Sequence, residues 1–397
     1  MTTRTPRDAE LAVLQRQVAE ALAYAASCGE HGIQVAAYVH GEPVVDAWTG
    51  TADPLTGAPV DRRTLFNVFS VTKAVTATAL HLQVQRGLVE YDRPVASYWP
   101  EYGVRGKEST TVRDLLTHRS GAPQMPLELD VQRLCDWQWM TSALAEQVPI
   151  FTPGTTNAYH SISWGWLVGE VVRRTDSQQR TFGAFVREEL CNPLGIEDLY
   201  IGLPDSENHR VARLIDQSGE APGRSSESQH LQALTMPPAA MPGPNIFGLP
   251  EVRAAEIPGA GGIMSASSGA RLFALLAGGG ALDGCRLLDE SLLRSFLVPR
   301  KDAELVDRVS GVPRFVGLGG YYLGGDSPPA QPLYGPSRAV LGHPGAGGSD
   351  GWADMDSRLA VAITHNRMFN LYTFPDGRHP FLPLSDCLRA FADRGRS

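Results

Sequence analysis

Phe69-Ser70-Val71-Thr72-Lys73 runs without a break into the helix-forming stretch Ala74 to Gln85. A Ser and a Lys three residues apart on the first turn of a helix share a face, so the lysine nitrogen can reach the hydroxyl. The same turn presents helix N-terminal amides, and their dipole favours negative charge. Together these supply a nucleophile, a proton acceptor and part of an oxyanion site. The bare S-x-x-K spacing is common, however, and an N-capping Ser followed by a solvated Lys satisfies it equally. The surrounding sequence has to decide between the two.

Working outward, Leu11, Leu14, Val18, Leu22 and Ala25 recur at helical spacing and predict an amphipathic helix over residues 8–27. Ile33 to Val39 and Pro43 to Thr49 are apolar, β-rich runs on either side of His40-Gly41-Glu42, which reads as a tight hairpin. Near the other end, Ala339 to Gly342, Gly351 to Asp354 and Leu359 to Thr364 read as short strands, followed by a helix from about Leu384 to Asp393. The two chain ends are expected to share one antiparallel sheet. Between them, helical signals recur at Ser70 to Gly87, Val112 to His118, Ser161 to Arg174 and Thr181 to Leu190. Residues 204–258 differ, because six prolines between Pro237 and Pro258 break a stretch with little periodicity. Such a segment is a linker or a binding lid, and its place between regular elements favours the lid.

Several ordered motifs around the Ser–Lys pair resemble one family. They are Leu65-Phe66-Asn67-Val68-Phe69-Ser70-Val71-Thr72-Lys73, Gly87-Leu88-Val89-Glu90-Tyr91-Asp92-Arg93-Pro94-Val95, Tyr98-Trp99-Pro100-Glu101 and Thr111-Val112-Arg113-Asp114-Leu115-Leu116-Thr117-His118-Arg119-Ser120-Gly121. The chain resembles the serine β-lactamase and penicillin-binding-protein superfamily, in the class C-like branch that contains the family VIII carboxylesterases, from about Ile33 to Arg367. The resemblance implies an α+β fold, the α/β sandwich of β-lactamase type: an antiparallel sheet built from both chain ends and flanked by helices, with a mostly helical middle domain. On that pattern residues 1–92 and 255–397 form the sheet domain. Residues 93–254 form the helical one, including the proline-rich lid at about 204–254.

The family's Tyr-x-Asn motif is matched by Tyr159-His160-Ser161. By resemblance Tyr159 faces the Ser–Lys pair and manages the proton of acylation. A phenol with an ordinary pKa near 10 needs neighbouring positive charge to do so, which Lys73 could provide. Whether Lys73 or Tyr159 takes the proton first stays open, and the pair would titrate together. Ser161 stands where β-lactamases carry an Asn that hydrogen-bonds the acyl side chain, which lowers the expectation of β-lactam hydrolysis. The third motif, Lys-Thr-Gly, is matched by His343-Pro344-Gly345, followed by Ala346-Gly347-Gly348. His343 replaces the Lys that holds a substrate carboxylate, and a mostly neutral His gives up that anchor. It could hydrogen-bond Tyr159 or be structural. By position, the N–H of Ala346 would pair with that of Ser70 as the oxyanion hole, and the glycines around it permit close backbone approach. Ser161, His343, Gly345 and Trp352 are the candidate substrate-binding residues. Gly269 stands where the family usually has an Asp.

Other patterns carry less. Gly347-Gly348-Ser349-Asp350-Gly351 matches the G-x-S-x-G elbow, but that motif needs a helix after it, and strand-like residues follow Ser349. His118 is read as part of a helix end, and Gly278-Gly279-Gly280 as the end of the helix Arg271 to Ala277. Trp164, Trp166, Tyr321, Tyr322 and Trp352 are candidates for an acyl pocket, with core packing the expected fate of at least half. The ten histidines show neither H-x-x-x-H nor H-x-H spacing, so no metal is expected, and no organic cofactor is implied. Five scattered cysteines without a CxxC pair read as free thiols rather than a disulfide framework. With 43 acidic against 35 basic residues the net charge is −8, which argues against nucleic acid as a partner. No apolar run reaches the roughly 18 residues of a bilayer span and no signal core opens the chain, so a cytoplasmic protein without membrane contact is expected. Oligomeric state is not legible.

These readings converge on a serine carboxylesterase that cleaves a small-molecule ester or amide through a Ser70 acyl-enzyme. An acyltransferase that passes the same acyl group to an amine or alcohol is the alternative, because partition depends on how dry the acyl site is. β-Lactamase or D-amino peptidase activity, or a catalytically silent binding module, ranks behind both.

Overall fold

The structure is a computed structural model that describes residues 6–217, 225–326, 331–369 and 379–394. In chain order its strands are β1 (Gly32–Val39), β2 (Glu42–Asp53), β3 (Ala58–Pro59), β4 (Phe66–Phe69), β5 (Leu199–Ile201), β6 (Ile215–Gln217), β7 (Gly262–Met264), β8 (Ala281–Leu282), β9 (Cys285–Arg286), β10 (Val340–Pro344), β11 (Asp350–Asp354), β12 (Leu359–His365) and β13 (Arg367–Phe369). Six of them form the main antiparallel sheet in the order β10-β11-β12-β1-β2-β3. The two chain ends meet in its middle, where β1 and β12 pair from Ile33–His365 to Val39–Leu359.

Strand periodicity divides the side chains of β1 and β12 between two cores. Ile33, Val35, Val361 and Ile363 point to one face, where the buried residues of α1 (Pro6–Ser27), Leu14, Val18 and Leu22, cover them together with Leu384 and Leu388 of the Leu382–Arg394 helix. Ala36, Tyr38, Ala360 and Ala362 point to the other, which packs against the Ala266–Ala277 helix and α2 (Thr72–Gln85). Small residues on this second face let the Ala266–Ala277 helix approach closely. A Cβ at Gly269 would already stand 3.1 Å from that of Ala362, which gives the glycine found where an Asp was expected a packing role. Gln34 bolts the layers together: its amide donates to Asp61 O and Thr64 O at 2.6 and 3.1 Å and accepts from Ala266 N at 2.9 Å.

A second sheet, β4-β7-β5, leads into Ser70. β4 pairs with β7 from Phe66–Met264 to Phe69–Gly262 and hands the chain directly to α2. The expected helices are present with shifted ends. The third starts at Trp164 rather than Ser161, and the fourth ends at Val186 and continues as a π turn whose Asn192 N–H reaches Arg187 O, five residues back. Gly278 closes the Ala266–Ala277 helix as expected. The proline-rich stretch is no plain linker: it holds the helices Ser226–Thr235, Pro244–Phe247 and Pro250–Ala254, while residues 218–224 lie outside the described residues. All five cysteines are free thiols. No described helix is long and apolar enough to cross a membrane.

Candidate active site

Ser70 sits at the corner between β4 and α2. The chain turns there by placing Phe69 at φ +45°, a left-handed conformation that a bulky residue rarely adopts. Burial holds it: Phe69 is 2% exposed and packs edge-on against Phe247 at 5.3 Å. Thr72 Oγ1 donates to Phe69 O and accepts from Gly262 N at 2.8 Å, which ties the corner to β7. The Ser70 hydroxyl does not cap the helix, whose N-cap residue, Val71, has no side-chain cap.

Lys73 is fully buried. Its Nζ lies 3.1 Å from Ser70 Oγ and 2.7 Å from both Ser161 O and Gly259 O. The solvated-lysine alternative is therefore excluded. Burial, and after it the positive charge of Arg314, holds Lys73 well below the ordinary lysine range. A neutral amine has two N–H groups and one lone pair. Nζ donates to Ser161 O, Gly259 O and Ser70 Oγ; on losing one proton it would keep the two carbonyl bonds and turn its lone pair to the Ser70 O–H.

Both carbonyls are held by their own segments. Gly259 follows Pro258, whose carbonyl accepts from Thr76 Oγ1 at 2.7 Å, so the loop is pinned to α2. It also lies against the Trp164–Thr175 helix so closely that a Cβ on Gly165 would fall 1.9 Å from Gly259 N. Ser161 precedes that helix with its carbonyl turned to Lys73, which is why the helix starts later than its periodicity predicts. The Ser161 hydroxyl meets Thr235 Oγ1 at 3.1 Å, a contact from the proline-rich segment.

Tyr159 donates from its hydroxyl to Ser70 Oγ at 3.2 Å, and Lys73 Nζ lies 5.2 Å from its ring centroid. The structure thus brings Ser70, Lys73 and Tyr159 together. Burial, then the Tyr322 hydroxyl, raises the Tyr159 phenol above its ordinary range, while Arg314 and the Ser70 bond pull the other way. The extended backbone around Tyr159 is fixed from two sides. Tyr159 N donates to Asp307 Oδ1 at 3.1 Å, and His160 N donates to His118 Nδ1 at 3.1 Å. Asp307 is paired with Arg300 at 3.4 Å, both side chains being fully buried. His118 follows its helix at φ +59° and lies tilted against the Tyr159 ring at 4.6 Å, so it acts as a support, in line with its reading as a helix end.

The remaining sequence candidates separate. Gly345, at the tip of the β10–β11 hairpin, runs so close to the nucleophile strand that a Cβ there would stand 2.4 Å from Val68 O. Its N–H is taken by Ser349 O at 2.7 Å, which fixes the turn carrying the partly buried Ala346. His343 is buried and makes no bond to Tyr159. Its Nδ1 bonds Pro344 O at 2.8 Å and its ring meets Tyr322 edge-on at 4.9 Å. Burial, then the charge of Lys73, holds it well below the ordinary histidine range, so the ring is neutral. Trp352 pairs with Gly342 in the β10–β11 register, and so points to the sheet face opposite His343. There it packs on Tyr334 at 5.6 Å in the core covered by α1, which corrects the expectation that it binds substrate. Trp164, Trp166 and Tyr321 are fully buried as well. Ser349 is buried and followed by strand β11, which bears out its reading as a decoy.

Sequence reasoning did not find Arg314, Asp307, Arg300 or Thr235. Each is a single residue of a common type, remote from the motifs, and no local pattern announces it. Among the described residues no group of three or more His, Cys, Asp or Glu is placed to hold a metal ion.

The geometry is that of a serine acyl-transfer site on an α+β scaffold. The chain belongs to the Beta-lactamase family, whose sequence profile matches residues 14–379. The esterase/beta-lactamase LipL of Mycobacterium tuberculosis is 33% identical over 355 residues, 87% of this chain and 79% of that one. A family VIII carboxylesterase of known crystal structure is 32% identical with a TM-score of 0.84, over 95% of this chain and 97% of the other. A penicillin-binding-protein homologue from Caulobacter crescentus is 33% identical with a TM-score of 0.84, over 96% and 97%.

Proposed function

We propose that the protein is a serine carboxylesterase in which Ser70 is acylated, Lys73 and Tyr159 move the proton, and Ser70 N–H and Ala346 N–H hold the oxyanion. The observation that carries this reading is the position of Lys73. Its Nζ reaches Ser70 Oγ while Ser161 O and Gly259 O hold it in place, so that once deprotonated, as burial favours, it keeps both carbonyl bonds and turns its lone pair to the Ser70 O–H. Ser70 Oγ attacks the ester carbonyl as its proton passes to Lys73 Nζ, and the carbonyl electrons move onto the oxygen facing the two amides. Collapse of that intermediate breaks the bond to the alkoxide, which takes a proton delivered through Tyr159. Water then attacks the acyl carbonyl, the bond from the acyl carbon to Ser70 Oγ breaks, and the water proton passes along the same route to Ser70 Oγ as the acid is released.

The choice of ester over lactam rests on two substitutions. A neutral, buried His343 gives no anchor for an anionic head group, and Ser161 offers a hydroxyl already engaged with Thr235 in place of an amide. The likeness to a family VIII carboxylesterase supports the same choice. The site lies at the seam of the proposed division into residues 1–92 plus 255–397 and residues 93–254, with Ser70, Lys73 and Ala346 on one side and Tyr159 on the other. The segment 204–254 is proposed as the lid, since Thr235 and Phe247 reach the residues around the nucleophile.

The test is intact mass spectrometry with a short p-nitrophenyl ester, on wild type and Ser70→Ala, in buffer and with an added amine or alcohol. The expected result is a transient adduct on wild type that decays in buffer and is absent from Ser70→Ala. An adduct that persists until the acceptor is supplied identifies an acyltransferase instead. No adduct with short or long acyl chains overturns both.

A further inference from the structure

Arg314 faces the catalytic cluster from a segment that none of the motifs covers. Its guanidinium carbon lies 4.1 Å from the Tyr159 ring centroid, nearer than the Lys73 nitrogen, and one terminal nitrogen donates to Tyr322 OH. Among the described residues it has no carboxylate partner. The nearest candidate, Asp307, is engaged by Arg300 and by the backbone N–H of Tyr159, Val309 and Ser310. The other groups around the cluster do not offset its charge: His118, His160 and His343 are neutral through burial, Tyr322 is a neutral phenol, and Arg300 and Asp307 cancel. One guanidinium therefore stands uncompensated beside the groups that must pass a proton.

We propose that Arg314 is a positioning residue, a fixed cation that seats the Tyr159 ring by its face and keeps surplus protons out of the Ser70–Lys73–Tyr159 cluster. A guanidinium stacked on a ring holds its orientation while staying charged, which suits it to this place. Its field opposes a second positive charge on Lys73 and favours negative charge on the Tyr159 oxygen. Both effects leave the cluster with a free base. The sign is the same whichever of the two takes the Ser70 proton, because loss of the guanidinium raises the proton affinity of both.

The inference rests on the reading of Ser70 as nucleophile, and the experiment separates the two. The rate of Ser70 labelling by a fluorophosphonate is measured against pH, from about 5 to 10, for wild type, Arg314→Gln and Arg314→Lys, with labelling located by mass spectrometry. In Arg314→Gln the acid limb is expected to move up by about one pH unit, so labelling near neutrality falls roughly tenfold and recovers in alkali. Arg314→Lys, which keeps the charge, is expected to keep the wild-type limb. If Arg314→Gln does not fold, Tyr322→Phe, which removes the bond that holds the guanidinium, is expected to move the limb in the same direction by less. A Gln profile that superimposes on wild type, or a uniform loss at every pH that Lys does not restore, overturns the role of Arg314 and leaves the nucleophile standing. No Ser70 adduct on wild type at any pH overturns both.

Discussion

Removal from water acts on three titratable side chains near the β10–β11 hairpin with different consequences. It lowers the proton affinity of both Lys73 and His343. Asp350, which accepts from Tyr334 OH at 2.9 Å and Gly351 N at 2.8 Å, is pushed up to about 8 by burial. Its folded value lies above its ordinary 3.8, so the folded protein holds this proton more tightly than the unfolded chain. The stability it contributes is complete below about pH 4 and is lost as pH rises through about 8. Asp350→Asn keeps both acceptor contacts without the titration. Its melting temperature relative to wild type is therefore expected to rise between about pH 5 and pH 9, and a difference that stays constant contradicts the assignment. At this scale the sequence is uneven. Ser70 and Lys73 announce themselves by spacing on one helix face, and Tyr159 only through its family motif. Arg314 and Asp307 act from loops through contacts that depend on three-dimensional placement alone.

The hairpin tip is where an element, rather than a side chain, sets the chemistry. Gly345 allows β10 to run against the carbonyl of Val68, two residues before Ser70, and the proposed oxyanion donor Ala346 follows it in the same turn. In Gly345→Ala the new methyl would have to push the two strands apart. The acylation rate is expected to fall by about 10²- to 10³-fold, the loss associated with one oxyanion donor, while the thermal transition and far-ultraviolet spectrum persist. A variant that acylates at the wild-type rate would show that the donor comes from elsewhere. Strands and long helices were legible because alternation and helical spacing survive in the sequence. Their ends were less so, since a tertiary partner can claim a backbone group: Ser161 yields its carbonyl to Lys73, and the helix begins three residues later than expected.

Across the molecule, the main sheet carries a packed core on each face. Ile363 is fully buried on the side covered by α1 and the Leu382–Arg394 helix. Ile363→Ala is expected to cost about 2 to 5 kcal/mol in denaturant unfolding while leaving the rate of Ser70 acylation unchanged in the folded protein. A parallel loss of acylation would mean that the two faces are coupled. That the chain ends share a sheet could be read from sequence, because both carry β-rich runs around a helical middle. The β1–β12 register could not, since either strand's alternation is met by several offsets and only the packed helices choose among them.

Lys73 also joins three stretches of chain that are distant in sequence, at residues 70–73, 161 and 259. Substituting it removes a tether along with a proton acceptor, so the kinetic defect of a Lys73 variant compounds two losses. A small alkylamine supplied in solution can restore proton traffic but not the joint. The shortfall between the rescued and native rates then measures how much of the enzyme's power is held as rigidity.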